Sequence, residues 1–255
     1  MSDRDHLLLS GERIDDLQWL GLRIIQSPDA FRFGMDSVLL ADFARVKPRS
    51  RVCDLGTGTG ILPLLLYGHS GGSISCDAVE IQPDAAERAA RSVRLNGLEE
   101  KITVHNQDLR LVRRFLPHAA YDLVICNPPY SPENASLPSP SPQLRAARQE
   151  GDCTLADVAS AAGWLLKSRA RFCLMLPAAR LANAFDTLRQ YRLEPKRLRL
   201  VHANVSRPAR LALMEAMLDV NPGLIIQPPL IVKNPDGTDT EEINRIYHIA
   251  EAGSE

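Results

Sequence analysis

Short apolar runs alternate with amphipathic segments between Arg51 and Met175. The apolar runs have the length of strands, and the segments between them repeat apolar side chains at helical spacing. We predict strands at Arg51–Leu55, Ala78–Glu80, Ile102–His105, Tyr121–Cys126 and Ala170–Leu176. We predict helices between them at Ile61–Tyr67, Asp84–Asn96, Leu109–Phe115 and Leu155–Leu166. This alternation indicates βαβ units, and therefore a doubly wound, mostly parallel α/β sheet with helices on both faces.

Three segments break this rhythm. Residues 1–49 contain an extended stretch and a helix, at Leu22–Gln26 and Asp36–Arg45. Residues 131–150 carry four prolines among serines, which indicates a loop. After Pro177 the pattern predicts one helix and three strands, at Ala178–Gln190, Arg197–His202, Leu211–Asp219 and Leu230–Lys233. We therefore expect one domain with an N-terminal extension, a core and a C-terminal strand and tail, at 1–49, 50–220 and 221–255.

The composition is that of a soluble globular protein, with 45% hydrophobic and 24% charged residues. A formal net charge of -1 gives no overall attraction to nucleic acid, so any basic surface must be local. Five cysteines are scattered without a C-x-x-C pair, which favours reduced thiols over a disulfide framework or a zinc site. The sequence has neither a signal-peptide apolar core nor a run of about 20 apolar residues. We expect a cytoplasmic protein without a metal or a membrane span.

Three glycines follow the first of these strands and open the next helix: Gly56, Gly58 and Gly60. Glycines at such a turn let the backbone bend sharply and approach a ligand closely. Asp54, near the end of the strand, can attract the ammonium group of a bound amino acid. Glu80 ends the next strand, where a carboxylate can accept hydrogen bonds from both hydroxyls of a ribose. The pattern predicts a nucleoside cofactor that carries an amino acid group.

A nicotinamide dinucleotide is the alternative cofactor for a glycine-rich turn. Its site has the pattern G-x-G-x-x-G, with a diphosphate at the helix N-terminus. Residue 61 is isoleucine here and Asp54 would repel a phosphate, which disfavours the dinucleotide. Asp108, after the third predicted strand, either accepts a hydrogen bond from the adenine of the cofactor or caps the following helix. We assign Ile81 and Leu109, the neighbours of these acids, to the same pocket.

The fourth predicted strand ends in Asn127-Pro128-Pro129-Tyr130. Ligands of an open parallel sheet bind at the carboxyl ends of its strands. Two prolines contribute no N–H donor, so the turn presents carbonyl oxygens beside the side-chain oxygen of Asn127. These acceptors suit a substrate –NH2 group, whose lone pair becomes available for attack once both hydrogens are donated. Tyr130 can stack on the planar group that carries this nitrogen. We therefore assign Asn127, Pro128 and Tyr130 to catalysis, and Asn127 also to the cofactor pocket.

These motifs resemble those of class I S-adenosylmethionine-dependent methyltransferases with an N-P-P-Y motif. Enzymes of that group act on amino groups of adenine or guanine in nucleic acids, or on a glutamine amide of release factors. Ile25-Gln26 and Phe31–Ala41 are similar to the opening of the valine-tRNA adenine-N6 methyltransferase family. The resemblance continues through Ala146–Glu150, Leu176-Pro177 and Asp236-Gly237. The stretch after Tyr130 departs from that family, in which a histidine usually stands where this chain has Gln149.

The resemblance implies a seven-stranded class I methyltransferase sheet with a short N-terminal extension that packs over the cofactor site. It implies S-adenosyl-L-methionine as the cofactor, with Phe33 and Asp36 folded over its pocket. Asp36 can equally be the N-cap of its helix. The implied reaction is methylation of the 6-amino group of adenine in RNA, with tRNA favoured. Guanine in rRNA, adenine in DNA and a protein glutamine amide remain alternatives within the group.

An RNA substrate needs cations for its phosphates, and a stacked adenine must be extruded before it can enter a pocket. Two basic residues lie beside the proline-rich loop: Arg145 and Arg148. A second group follows Glu194 without an intervening acid: Lys196, Arg197, Arg199, Arg207 and Arg210. We predict that both groups bind RNA. The second group can alternatively be a solvated strand face.

Two other classes of protein remain open from the sequence. A nicotinamide-dependent oxidoreductase would be protected from thermal unfolding by NADH and not by S-adenosylmethionine. A catalytically silent RNA-binding module would transfer no labelled methyl group to total RNA. The pattern does not predict the oligomeric state.

Overall fold

The computed structural model describes residues 7–27, 34–128 and 153–247. Eleven strands and six α-helices follow one another in this part of the chain. They are β1 (Arg13–Asp16), β2 (Arg23–Gln26), α1 (Met35–Ala44), β3 (Arg51–Leu55), α2 (Ile61–His69), β4 (Ser75–Glu80), α3 (Pro83–Leu95), β5 (Ile102–Asn106), β6 (Tyr121–Cys126), α4 (Leu155–Leu165), β7 (Leu166–Pro177), α5 (Leu181–Gln190), β8 (Leu193–Asn204), β9 (Ala209–Leu218), β10 (Ile225–Ile226), β11 (Leu230–Lys233) and α6 (Glu241–Ile246). Two 3₁₀ segments, Leu109–Arg114 and Ala178–Arg180, lie between them.

Nine of the described strands form one sheet in the order β10-β8-β9-β7-β6-β3-β4-β5, with β11 also paired to β8. The strands from β5 through β4, β3 and β6 to β7 are parallel. Strand β9 runs antiparallel to both of its neighbours, β7 and β8. The prediction of a doubly wound, mostly parallel sheet is confirmed. The described sheet has nine strands instead of seven because β10 and β11 both extend it along β8.

The parallel strands β3 to β7 all end at one edge of the sheet, which we call the carboxyl edge. The register of β9 places its start there too, since Leu211 lies opposite Pro177, the last residue of β7. The turn between β8 and β9 therefore projects from the carboxyl edge. The loops after β3, β4, β5 and β6 share this edge, and it is where an open α/β sheet binds its ligands.

Helices cover the sheet with a separate apolar core on each face. Side chains of α1, α2, α3 and α6 pack together on one face, with Ile24 of β2 among them. Side chains of α4, α5 and the first 3₁₀ segment pack on the other face, around Phe172 of β7. Among the helices described here, none is long and apolar enough to cross a membrane.

Several elements differ from the predicted ones. The segment predicted as helix 109–115 is a 3₁₀ turn, because Leu111 N–H bonds to the Asp108 carbonyl (2.9 Å), three residues back. The helix predicted from Ala178 begins at Leu181, after a separate 3₁₀ turn. Strands β1 and β10 and helix α6 were not predicted. Both residues of β10 are exposed, so that strand has no alternation of apolar and polar side chains.

The N-terminal hairpin of β1 and β2 packs on helix α3. The N–H of Ile25 donates to Ser92 Oγ (3.1 Å), and that of Arg23 donates to Asn96 Oδ1 (2.9 Å). Glu12 is ion-paired with both Arg88 and Arg91 of α3. Chiefly through its hydrogen bond with Arg91, the pKa of Glu12 falls to about 2. The residues before the sheet are therefore tied to the helix that follows β4.

Glu215 of β9 anchors the C-terminal end of α1. Its buried carboxylate accepts from Arg171 (3.1 Å) and Arg197 (2.8 Å). The same two guanidinium groups donate to the Ala44 and Phe43 carbonyls of α1. Cations at a helix C-terminus complement its dipole. One carboxylate therefore holds two arginines that fix α1 on the sheet.

Glu215→Gln should lower the free energy of unfolding by about 3 kcal/mol, because it leaves two partly buried arginines without their shared anion. Urea unfolding followed by circular dichroism measures this loss. Glu242→Gln is the matched control, because the Glu242 carboxylate is 33% exposed, against 10% for Glu215, and holds one mostly buried arginine, Arg199, instead of two; its loss should cost about 1 kcal/mol. Equal losses in the two variants would contradict the anchoring role of Glu215.

Candidate active site

The glycine turn after β3 leaves open space beside its backbone. Gly56 and Gly58 have φ angles of +78° and +58°, which L side chains rarely adopt. A Cβ atom at either position would meet nothing within 4 Å. At Gly60 the Cβ would lie 3.2 Å from the Cβ of Ala89 in α3. The first two glycines therefore border space that a ligand can occupy, while the third lets α2 approach α3.

Asp54 of β3 is a fully buried carboxylate beside this turn. Within the described chain, neither of its oxygens nor the buried Thr57 hydroxyl has a hydrogen-bond partner. Burial raises the pKa of Asp54 to about 7, and the Glu80 carboxylate raises it further. Buried polar groups are nearly always paired in folded proteins. The unpaired carboxylate therefore marks a position that suits a cationic ligand group.

Glu80, at the end of β4, has its carboxylate fixed by two backbone donors. Its oxygens accept from the N–H of Gly58 (2.8 Å) and of Gln82 (2.9 Å). Asn106, at the end of β5, donates its side-chain amide to the carbonyls of Glu80 (2.9 Å) and Ile81 (3.1 Å). Ile81 is 46% exposed next to this carboxylate. The acid and the apolar side chain are thus held side by side at the carboxyl edge.

Asp108 caps the 3₁₀ segment that Leu109 begins. Its side chain accepts from the backbone N–H of Arg110 (2.9 Å), and it also forms an ion pair with the Arg110 guanidinium. Mainly through that guanidinium, the pKa of Asp108 is lowered. Leu109 packs against the core with its side chain partly buried. The N-cap alternative for Asp108 is therefore observed, and its contact with a cofactor adenine stays a prediction.

Asn127 directly follows β6, on the strand next to β3. Ile125 lies opposite Asp54, so Asn127 is level with Gly56 across the two strands. The Asn127 side-chain amide donates to the Oγ of Ser37 (3.4 Å), a residue of α1 that is 5% exposed. The amide of the predicted catalytic residue is thus held by a buried serine beside the glycine turn.

The other predicted residues of this site have different outcomes. Pro128 is described and follows Asn127, whereas Tyr130 and Phe33 lie outside the described residues. The N-cap interpretation of Asp36 is wrong, because Gly34 occupies that position and Asp36 lies in the first turn of α1. Burial of Asp36 raises its pKa.

The chain is similar in sequence to known methyltransferases. The methyltransferase small domain family matches residues 27–139. A tRNA1(Val) (adenine(37)-N6)-methyltransferase from Tolumonas auensis is 34% identical over 182 residues, which cover 68% of this chain and 74% of the relative. The chain therefore belongs to the same methyltransferase family as this relative.

Relatives with the same name from Citrobacter koseri and Yersinia pseudotuberculosis are 33% and 32% identical to this methyltransferase. Each match covers 58% of this chain, and it covers 59% and 58% of the respective relative. The chain thus spans less than two thirds of the length of these two relatives.

Solved structures of low sequence identity share the fold. One, described as a predicted O-methyltransferase from Agrobacterium tumefaciens, has a TM-score of 0.69 at 21% identity and covers 84% of this chain and 96% of its own. A T. thermophilus 16S rRNA methyltransferase in complex with AdoMet and guanosine has a TM-score of 0.57 at 18% identity, covering 83% of this chain and 52% of its own. These likenesses confirm the class I fold. Membership of the family confirms methyl transfer, with S-adenosylmethionine as the cofactor.

The seven basic residues predicted to bind RNA fall into three groups: those bonded within the fold, those exposed near a turn, and those outside the described residues. Arg197 and Arg199 are held by the carboxylates of Glu215 and Glu242, and Lys196 donates to the Asn221 carbonyl (3.1 Å). Arg207 and Arg210 are exposed near the turn between β8 and β9. Arg145 and Arg148 lie outside the described residues. RNA contact stays a prediction for all seven.

For four polar residues the sequence predicted no chemical role: Gln26, Ser37, Thr57 and Asn106. Gln26 ends β2 and is 2% exposed, and neither its side-chain oxygen nor its nitrogen has a partner among the described residues. Ser37 and Asn106 act through residues distant in sequence, so no local pattern could have found them. Thr57 lies inside the glycine turn, and its polar side chain at that position was the feature by which the sequence could have identified it.

Proposed function

We propose that this methyltransferase transfers a methyl group from S-adenosylmethionine to the 6-amino nitrogen of an adenine in tRNA. The observation that carries the proposal is the Asn127 amide, held at the carboxyl edge beside the glycine turn. Relatives at about one third identity are named for this reaction. A tRNA substrate fits action in the cytoplasm, and the chain needs no metal for this chemistry.

The residues beside the glycine turn fit this cofactor. Asp54, buried and unpaired, can take its ammonium group, and the open side of Gly56 gives it room. Glu80 keeps lone pairs for two ribose hydroxyls after accepting from the backbone, and the exposed Ile81 can pack on the adenine. The cofactor supplies an electrophilic methyl group on a sulfonium. We also propose that residues 1–49 form an N-terminal extension that packs over this pocket.

Asn127 binds and orients the substrate amino group. Its Oδ1 accepts one amino hydrogen, and the backbone carbonyl of Pro128 accepts the other, since a proline turn offers acceptors without donors. Both hydrogen bonds draw the nitrogen lone pair out of conjugation with the ring. The proton becomes acidic only after methylation, so no strong base is required. Fixed dipoles of this kind typically contribute a factor of about 10²–10³ in rate.

Ser37 acts as a positioning residue for Asn127. Because Nδ2 donates to Ser37 Oγ, the amide is held with Oδ1 left to face a donor. Ser37→Ala should lower kcat about fivefold, since the amide can then rotate, and should leave KM for tRNA and the cofactor Kd unchanged. Steady-state kinetics and calorimetry measure these quantities.

The matched control for Ser37→Ala is Ser92→Ala. Ser92 is also a buried helical serine that accepts a hydrogen bond, but from Ile25 of the N-terminal hairpin. Its replacement should lower the unfolding temperature without a comparable loss of kcat. If Ser37→Ala lowered only the unfolding temperature, Ser37 would be structural and the positioning role would be lost.

Transfer of labelled methyl from S-adenosylmethionine to total RNA tests the function. We expect label that disappears with ribonuclease and survives protease. Label that survives ribonuclease would point to a protein acceptor. Protection from thermal unfolding by NADH and not by S-adenosylmethionine would overturn the proposal in favour of an oxidoreductase.

A further inference from the structure

The turn between β8 and β9, residues 205–208, stands beyond the carboxyl edge. Met214 of β9 is opposite Leu174, which is itself opposite Cys126 at the end of β6. Ala209, the first residue of β9, lies five positions further toward that edge. At about 3.4 Å per residue, the turn rises roughly 17 Å above the end of β6. Only two strand spacings, roughly 10 Å, separate β9 from β6 laterally.

Hydrogen bonds give this turn a fixed shape. The N–H of Ser206 donates to Asn204 Oδ1 (3.0 Å), and that of Arg207 donates to the Asn204 carbonyl (3.2 Å). The His202 ring is bonded through Nδ1 to the Arg207 carbonyl (2.8 Å). A preorganised turn loses less conformational entropy when it binds a partner.

The surface of the turn combines one apolar side chain with two arginines. Val205 is 70% exposed, and Arg207 and Arg210, which follow it in the sequence, are exposed as well. Neither guanidinium forms an ion pair with a residue that the structure describes. No acid occurs between Glu194 and Glu215, so the positive charge of this turn is not neutralised along the chain.

The two arginines of this turn differ from the other arginines that follow Glu194 in having no carboxylate partner within the part of the chain that the structure describes. Arg197 and Arg199 belong to the fold, because each is paired with a carboxylate and both are mostly buried. A single exposed valine is ordinary on a protein surface. What distinguishes Val205 is that it shares a hydrogen-bonded turn, above Asn127, with two exposed arginines that have no acidic partner among the described residues.

We propose that the β8–β9 turn holds the RNA strand beside the extruded adenine. Arg207 and Arg210 bind phosphates next to the target nucleotide, and Val205 packs against the neighbouring base that is uncovered when the adenine leaves the stack. Enzymes that act on a base must take it out of the stack, and an apolar side chain can occupy the exposed face. This assignment rests on the proposed function, because the partner is the RNA substrate of that same site.

Arg207→Gln/Arg210→Gln tests the phosphate contacts. Binding of unmodified tRNA, measured by fluorescence anisotropy over a series of salt concentrations, should weaken about tenfold or more at low salt. Each lost phosphate contact should flatten the slope of log K against log salt by roughly 0.7–0.9. The cofactor Kd should not change.

The control is Arg192→Gln, which removes an exposed arginine (75%) that is ion-paired with Asp219 and precedes β8 at the opposite end of the sheet. It should leave tRNA affinity and the salt slope within twofold of the original protein. If the double variant bound tRNA as tightly as the control, the turn would not be an RNA contact. Binding is read without turnover, so this result is independent of whether the bound RNA is methylated.

Val205→Ser tests the apolar contact. We expect kcat/KM for folded tRNA to fall about tenfold, and turnover of a short unstructured adenine-containing RNA to stay unchanged, because that adenine needs no extrusion. An equal loss on both substrates, or no loss on tRNA, would overturn the role of Val205. Absence of methylation of any RNA by the unaltered protein would instead refute the proposed function.

Discussion

Asn127→Ala should reduce methyl transfer by about 10²–10³-fold while cofactor binding persists. The side chain supplies one of the two acceptors for the substrate amino group, and an alanine leaves that hydrogen without a partner in the transition state. The cofactor is held mainly by the ends of β3 and β4, which the substitution does not touch. Single-turnover kinetics with tRNA and calorimetry with S-adenosylmethionine separate the two effects.

The matched variant for Asn127→Ala is Asn127→Asp. A carboxylate still accepts from an amino group, and the Ser37 hydroxyl can donate to it in place of accepting from Nδ2. It should therefore retain more activity than the alanine variant. Turnover of Asn127→Ala within threefold of the original protein would contradict the assignment of this residue to catalysis.

Asp54→Asn should weaken S-adenosylmethionine binding by about 10²-fold, because it removes the buried negative charge that faces the ammonium group. Since the pKa of Asp54 is about 7 in the free protein, cofactor affinity of the original protein should also rise with pH up to about 7.7, above which the ammonium group of the cofactor loses its own proton. Calorimetric titrations of both proteins with S-adenosylmethionine, at pH values from about 5.5 to 8.5, measure the loss of affinity and its pH dependence.

The same substitution should stabilise the cofactor-free protein at high pH. The pKa of Asp54 rises from an ordinary 3.8 to about 7 on folding, so the folded state holds this proton more tightly. Its stabilising contribution is complete below about pH 4 and is lost as the pH rises through 7. At pH 8, Asp54→Asn should be more stable by on the order of 2–4 kcal/mol.

Asp122→Asn is the control for Asp54→Asn. Asp122 lies near the start of β6, at the opposite end of the sheet, and is ion-paired with Lys167. Its loss should leave cofactor affinity and its pH dependence unaltered. If Asp54→Asn bound S-adenosylmethionine as tightly as Asp122→Asn does, the ammonium contact would be refuted.

Short sequence patterns predicted the glycine turn, its two acids and Asn127. Glycine was needed at Gly56 and Gly58, where φ is positive, and each acid follows from its place at the end of a buried strand. Asn127 was identified because prolines end the strand without donors. These features depend on a few adjacent residues, so the sequence alone is enough to find them.

Long-range pairing accounts for what the sequence could not predict. Arg197 and Arg199 look like an open basic surface until Glu215 and Glu242, distant in the chain, neutralise them. Ser37 meets Asn127 across 90 residues of sequence. Strand β10 is recognised only by its pairing with β8, because both of its side chains are exposed. Each of these features follows from the tertiary fold and has no local pattern.

Nucleoside mass spectrometry of RNA treated with the purified protein identifies the nucleoside that receives the methyl group. Unmodified tRNA and rRNA are incubated with methyl-deuterated S-adenosylmethionine, digested to nucleosides and analysed for labelled products. We expect labelled N6-methyladenosine from tRNA treated with the original protein, and about 10²–10³-fold less of it with the Asn127→Ala variant. Label on guanosine, on rRNA alone or on no nucleoside at all would contradict it.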